Sequence, residues 1–94
     1  MFFNKKYDRR KEQYLREMLD FSRKMGFIAP DFFPIKGRLF LVDYNMGKTT
    51  PIMEVSTPAK KDCINDKIFN IKLKELREKI KEAKYEIDSR QSWV

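Results

Sequence analysis

The sequence predicts an α+β fold: one small domain in helix–β-hairpin–helix order (α-β-β-α), with two amphipathic helices packed on a small antiparallel sheet. Three observations carry this expectation. Apolar residues recur at helical spacing near both ends of the chain, and a stretch rich in Pro, Gly and β-formers lies between them. A length of 94 residues fills one domain and falls short of two. Eight Phe, four Tyr and one Trp supply apolar mass enough to fold a chain that is 37% charged.

The first helix is read from about Asn4 to Met25. Tyr7, Tyr14, Met18, Phe21 and Met25 form one stripe, widened by Leu15, Leu19 and Ser22, and Arg9, Arg16 and Arg23 line the opposite side. Arg23 and Lys24 suit the negative end of the helix dipole. Gly26 can then take a left-handed stop, with Phe27 folding back. An alternative start places a cap at Asp8 and leaves residues 1–7 as a basic arm.

Residues 27–37 read Phe-Ile-Ala-Pro-Asp-Phe-Phe-Pro-Ile-Lys-Gly. Two prolines four apart forbid a regular helix, while the aromatic and branched residues want burial. The expectation is an ordered connection packed on the core, or a docking surface built around Phe32 and Phe33. Arg38–Tyr44 is the best strand, with Leu39 and Leu41 on one face and Phe40, Val42 and Tyr44 on the other. Asn45-Met46-Gly47-Lys48 is turn chemistry, and Pro51–Val55 supplies the returning strand. Thr57-Pro58 marks a boundary, either a turn or a helix cap.

The clearest periodicity comes last. Phe69, Leu73, Leu76, Ile80, Ala83 and Ile87 alternate spacings of four and three, with Lys and Glu interleaved around them. This helix is expected to begin near Asp66, its cap. A third strand over residues 67–72 is the alternative, since two strands alone make a narrow sheet. A homodimer through the stripe of this helix is the other way to cover the sheet. Residues 90–94 read as a short tail, in which Trp93 can fold back on the helix end or Ser92-Trp93-Val94 can serve as a strand-addition peptide.

Composition excludes much chemistry. The chain has no His and a single Cys, so imidazole bases, Ser-His pairs, CxxC redox pairs and His or thiolate zinc sites are all ruled out. Cys63 reads as a small buried hydrophobe, and a lone thiol suits the reducing cytoplasm. Gly47-Lys48-Thr49 imitates the tail of a phosphate-binding loop, but Val42 stands where its first glycine belongs. No cofactor or metal is implied. No run is long and apolar enough to span a membrane, and no signal peptide is evident. One enzymatic reading survives: Asp43 and Glu54, near the ends of the two strands, could hold Mg²⁺ in a metal-dependent nuclease, although Ser56 replaces the usual lysine. For a small toxin-like ribonuclease, only Arg38, Tyr44 and Lys48 are of suitable type on the sheet.

The charge points elsewhere. Lys and Arg number 21 against 14 Asp and Glu, a net +7, and the densest cationic run is Lys5, Lys6, Arg9, Arg10 and Lys11. Cations in a first helical turn oppose the dipole, a conflict that bound phosphates would relieve. The leading expectation is a small basic accessory protein, phage or mobile-element in style, that binds without catalysing. Lys5, Lys6, Arg9, Arg10, Lys11 and Arg16 would grip a nucleic-acid backbone without reading sequence, with Tyr7 available for stacking. The second expectation is an inhibitor or adaptor that binds an acidic host protein through Phe32 and Phe33 or a helix stripe.

Overall fold

A computed structural model describes residues 5–91, so the expectations for residues 1–4 and for Ser92, Trp93 and Val94 lie outside the described residues. Six elements follow in order: α1 (Lys5–Lys24), β1 (Pro30–Ile35), β2 (Arg38–Asp43), β3 (Met53–Glu54), α2 (Lys60–Ile64) and α3 (Asp66–Gln91). The architecture is the predicted α+β domain, with an antiparallel sheet ordered β1-β2-β3 between the terminal helices.

The first helix ends as its residues dictate. Gly26 takes φ +101°, its N–H donates to the Arg23 carbonyl at 3.0 Å, and the Phe27 N–H reaches the Ser22 carbonyl at 3.1 Å. That pair of bonds is a Schellman stop, and Phe27 tucks into the core beyond it. At the other end, residues 5–7 are helical, so the arm expected before Asp8 does not form over them. Lys6 is held there by Asp66, a partner sixty residues away.

The sheet departs from expectation in one element. Residues 30–35, expected to be part of an ordered connection packed on the core, form β1 and pair with β2 from Pro30↔Asp43 to Ile35↔Arg38. Prolines fit because β1 is an edge strand. Pro30 and Pro34 share the parity of Phe32, whose N–H donates to the Asp31 carboxylate at 2.8 Å rather than to β2. Both prolines therefore stand where an amide would point away from the sheet, and no ladder bond is lost. The tight turn is Lys36-Gly37, with φ +51° and +78°, a two-residue loop of type I′. Asn45–Lys48 instead opens a longer loop that delivers the short β3. This third strand at 30–35 replaces the one considered at 67–72, which is helix throughout.

The last helix is capped one residue earlier than expected. Asn65 Oδ1 accepts the Ile68 N–H at 3.1 Å, so Asn65 is the cap and Asp66 sits in the first turn. Phe69, Leu73, Leu76, Ile80 and Ile87 are all buried, with Ala83 partly so. They meet Tyr14 and Met18 of α1 and Leu41 of β2, with Phe27 and Ile52 completing the core. Each large side chain buried here contributes about 1.5–3 kcal/mol. That stripe is covered by its own chain and is not free to pair with a second copy. Residues 90–91 continue the helix rather than starting the expected tail.

One feature of the packing could not be read locally. Contacts between α1 and α3 advance together along both helices: Lys6 and Arg10 meet Asp66, Arg10 meets Phe69, and Glu17 meets Arg77 at 2.8 Å, with Phe27, just past the end of α1, meeting Lys84. The helices are parallel. The sheet and α2 form the return connection, which must travel back about 30 Å, the length of a 20-residue helix.

Candidate nucleic-acid interface

Parallel packing brings the first turns of α1 and α3 to one end of the molecule. The five residues of α2 pack against both helices there, with Cys63 fully buried and close enough to Arg10 and Lys11 to feel their charge. Lys5, Lys6, Arg9, Arg10 and Lys11 of α1 are thereby joined by Lys60, Lys61 and Lys67, with only Asp8, Asp62 and Asp66 in the same segments. Lys6, Arg9, Arg10 and Gln13 line a shallow open cleft of about 330 Å³ on this end.

The six predicted cations divide by their partners. Arg10 donates to Asp66 at 2.7 Å and lays its guanidinium 4.7 Å from the Phe69 ring centre. Lys6 reaches the same carboxylate oxygen at 3.0 Å. The Lys6 ammonium, with the Arg10 guanidinium beside it, holds the Asp66 carboxyl below the ordinary carboxylate range. Arg16 lies further along the exposed side of α1 and pairs with Glu12 at 3.4 Å. Lys5, Arg9 and Lys11 are exposed and form no ion pair among the described residues. Half of the set is thus free to meet an outside anion, and half already has a carboxylate.

Lys60, Lys61 and Lys67 were missed because their own surroundings give no hint of it. A Lys-Lys pair was visible in the sequence, but only the packing of α2 on α1 sets it beside the cationic run.

Phe32 and Phe33 do not form one surface. Adjacent strand residues point to opposite faces. Phe32 packs on the core from within, whereas Phe33 pairs with Phe40 on the outward face, where the Lys48 ammonium lies 4.8 Å from its ring centre.

The two acids of the nuclease reading are separated in the same way. Asp43 shares the parity of inward-facing Leu41, while Glu54 pairs with Phe40 on the outward face. Asp43 is buried and accepts three backbone amides, those of Ala29 at 2.9 Å, Asn45 at 3.0 Å and Ile28 at 3.1 Å. It ties the entry of β1 to the exit of β2, and the pair makes no joint cation site. No group of three or more Cys, Asp or Glu side chains is placed to hold a metal among the described residues.

Two buried groups have displaced acidities. Burial raises the Tyr14 phenol above its ordinary value, and the charge of Glu75 adds to the shift. Burial also raises the Cys63 thiol, with Asp62 acting in the same direction against Arg10 and Lys11. A thiol so held is a poor nucleophile. No described helix is long and apolar enough to cross a membrane.

No family model, curated protein or solved structure matches this chain.

Proposed function

We propose that this protein is a small non-enzymatic binding protein of a reducing compartment, and that it holds nucleic acid by the phosphate backbone with its cationic end. The observation that supports this most is the convergence of α1, α2 and the start of α3, which gathers eight Lys and Arg against three carboxylates. Two helix N-termini at the same end add their positive dipole ends, so phosphates there would meet ammonium, guanidinium and backbone dipoles together. Phosphate contacts of this kind carry no sequence information, so binding is by charge and independent of sequence.

The test uses cations without a structural duty. Arg10 is unsuitable for charge reversal, because a Glu there would face Asp66 and leave the Phe69 ring. The double substitution Arg9→Glu and Lys11→Glu leaves the packing untouched and should abolish gel retardation of both DNA and RNA. About five neutralised phosphates would give the parent protein a loss of affinity of roughly 10²–10³ between 50 and 200 mM salt. Unchanged retardation by the double variant would remove this end from the interface. Capture of one stoichiometric acidic protein from nuclease-treated lysate, with no nucleic-acid binding at any salt, would favour the adaptor reading instead.

A further inference from the structure

One face of the sheet packs against the helices; on the other, Val42 is fully buried while Phe33, Phe40 and Tyr44 around it stay partly exposed. Phe33 of β1 stands directly across from Phe40 of β2 on the outward side, and both are only half-buried. Tyr44, just beyond β2, is 44% exposed and joins them. The loop from 44 to 52 crosses back over this face, so that the Lys48 ammonium sits 4.8 Å from the Phe33 ring centre and 5.7 Å from that of Tyr44. A cation seated between two rings marks ring faces that are electron-rich and reachable from solvent.

The charges around these rings favour an anionic visitor. Lys48 has no carboxylate partner, and Lys36 in the hairpin turn is exposed and also without one among the described residues. Two acids share the face, and both are engaged. Glu54 meets Arg38 at 3.7 Å, and Asp31 accepts the Phe32 amide at 2.8 Å. Aromatic rings interleaved with lysines that no carboxylate neutralises suit a polymer that offers flat π surfaces and phosphates in alternation. Single-stranded nucleic acid has that pattern, whereas a duplex keeps its base faces stacked inside.

We propose that the outward sheet face takes the bases of single-stranded nucleic acid, which stack on Tyr44 and Phe33 while Lys48 moves from the rings to a phosphate. This deepens the backbone-binding reading and rests on it: the cationic end supplies attraction for any nucleic acid, and the aromatic face supplies preference for unpaired strands. An exposed cation over a ring is held weakly, so a base can displace it.

The test compares fluorescence anisotropy of a single-stranded DNA or RNA of about 16 nucleotides, a length that covers the usual stacking platforms, with a duplex of the same length. The parent protein should prefer the single strand. Tyr44→Leu keeps an apolar side chain but removes the stacking surface; it should lower single-strand affinity by roughly fivefold or more and leave duplex affinity unchanged. Tyr44→Trp should restore it, and Lys48→Gln should reduce the salt dependence for the single strand alone. Equal binding of strand and duplex, with no effect of Tyr44→Leu, overturns the stacking proposal and leaves the backbone reading standing. No binding to either overturns both. A light-scattering mass that falls from dimer to monomer in Tyr44→Leu, with nucleic-acid affinity unaltered, assigns the face to a second copy and overturns the proposal. Far-UV circular dichroism and a melting curve establish that each variant is folded, which exposure of Tyr44 and Lys48 leads one to expect.

Discussion

Replacing Asp43 separates a structural carboxylate from a catalytic one. Its Oδ1 accepts the amides of Ala29 and Asn45, and its Oδ2 accepts that of Ile28, all within 3.1 Å. Asp43→Ala removes all three acceptors at once. A buried donor left without a partner costs about 1–3 kcal/mol. These amides are partly buried, so water can reach some of them, and a total near 3 kcal/mol is the appropriate scale. For a domain of this size that corresponds to a fall in Tm of roughly 12–24 °C. Asp43→Asn keeps one oxygen, able to hold Ala29 and Asn45, but sets an NH₂ against the Ile28 amide; its loss should be about half as large. Thermal and urea unfolding followed by circular dichroism give the order directly, with parent above Asn above Ala. The opposite result refutes the reasoning. If Asp43→Asn were more stable than the parent, the carboxylate would be one held against the interests of the fold, as active-site acids often are.

Further outcomes follow from other parts of the structure. Asp66→Asn releases Lys6 and Arg10 from their shared carboxylate, so nucleic-acid affinity should rise in a titration at low salt. Because the Asp66 pKa is lowered on folding, its contribution to stability is present above the ordinary carboxylate value and is lost as pH falls through the folded value; acid unfolding of Asp66→Asn should lack that component. Tyr14 and Cys63 shift the other way, so their contribution is full below the unfolded values of about 10.0 and 9.0 and disappears as pH rises through the folded ones. Stability should therefore fall in alkali, and Cys63 should stay unreactive to a thiol reagent until the chain unfolds. Lys36→Asn should stabilise the hairpin by up to about 1 kcal/mol, since Lys36 holds φ +51° in a turn that favours Asn followed by Gly; a lower melting temperature would contradict the turn assignment.

Legibility differed between parts of the fold for physical reasons. The stripe of α3 was readable because a helix repeats every 3.6 residues, and whichever element covers Phe69, Leu73, Leu76 and Ile80 must meet them in that phase. The stop at Gly26 was readable because it lies wholly within Ser22 to Phe27. The strand at 30–35 was hidden by its prolines, which exclude a central strand but are harmless on an edge, and edge status is a property of the assembled sheet. The separation of Asp43 from Glu54 followed from strand parity and register, of which the sequence offered the first without the second.

By itself the sequence determined the inventory: two long amphipathic helices, a β-rich middle, a cationic front and a chain without imidazole or paired thiols. Periodicity, chain stops and composition are local quantities, set within a few residues of where they are read. The tertiary structure alone decided which cations keep a partner and which remain open to solvent. Asp66 reaches Lys6 and Arg10 across about sixty residues of chain, and Lys60 and Lys61 join the front only through the packing of α2. Such juxtapositions arise from the parallel arrangement of α1 and α3, which is fixed by burial of the whole core and by no single segment of it.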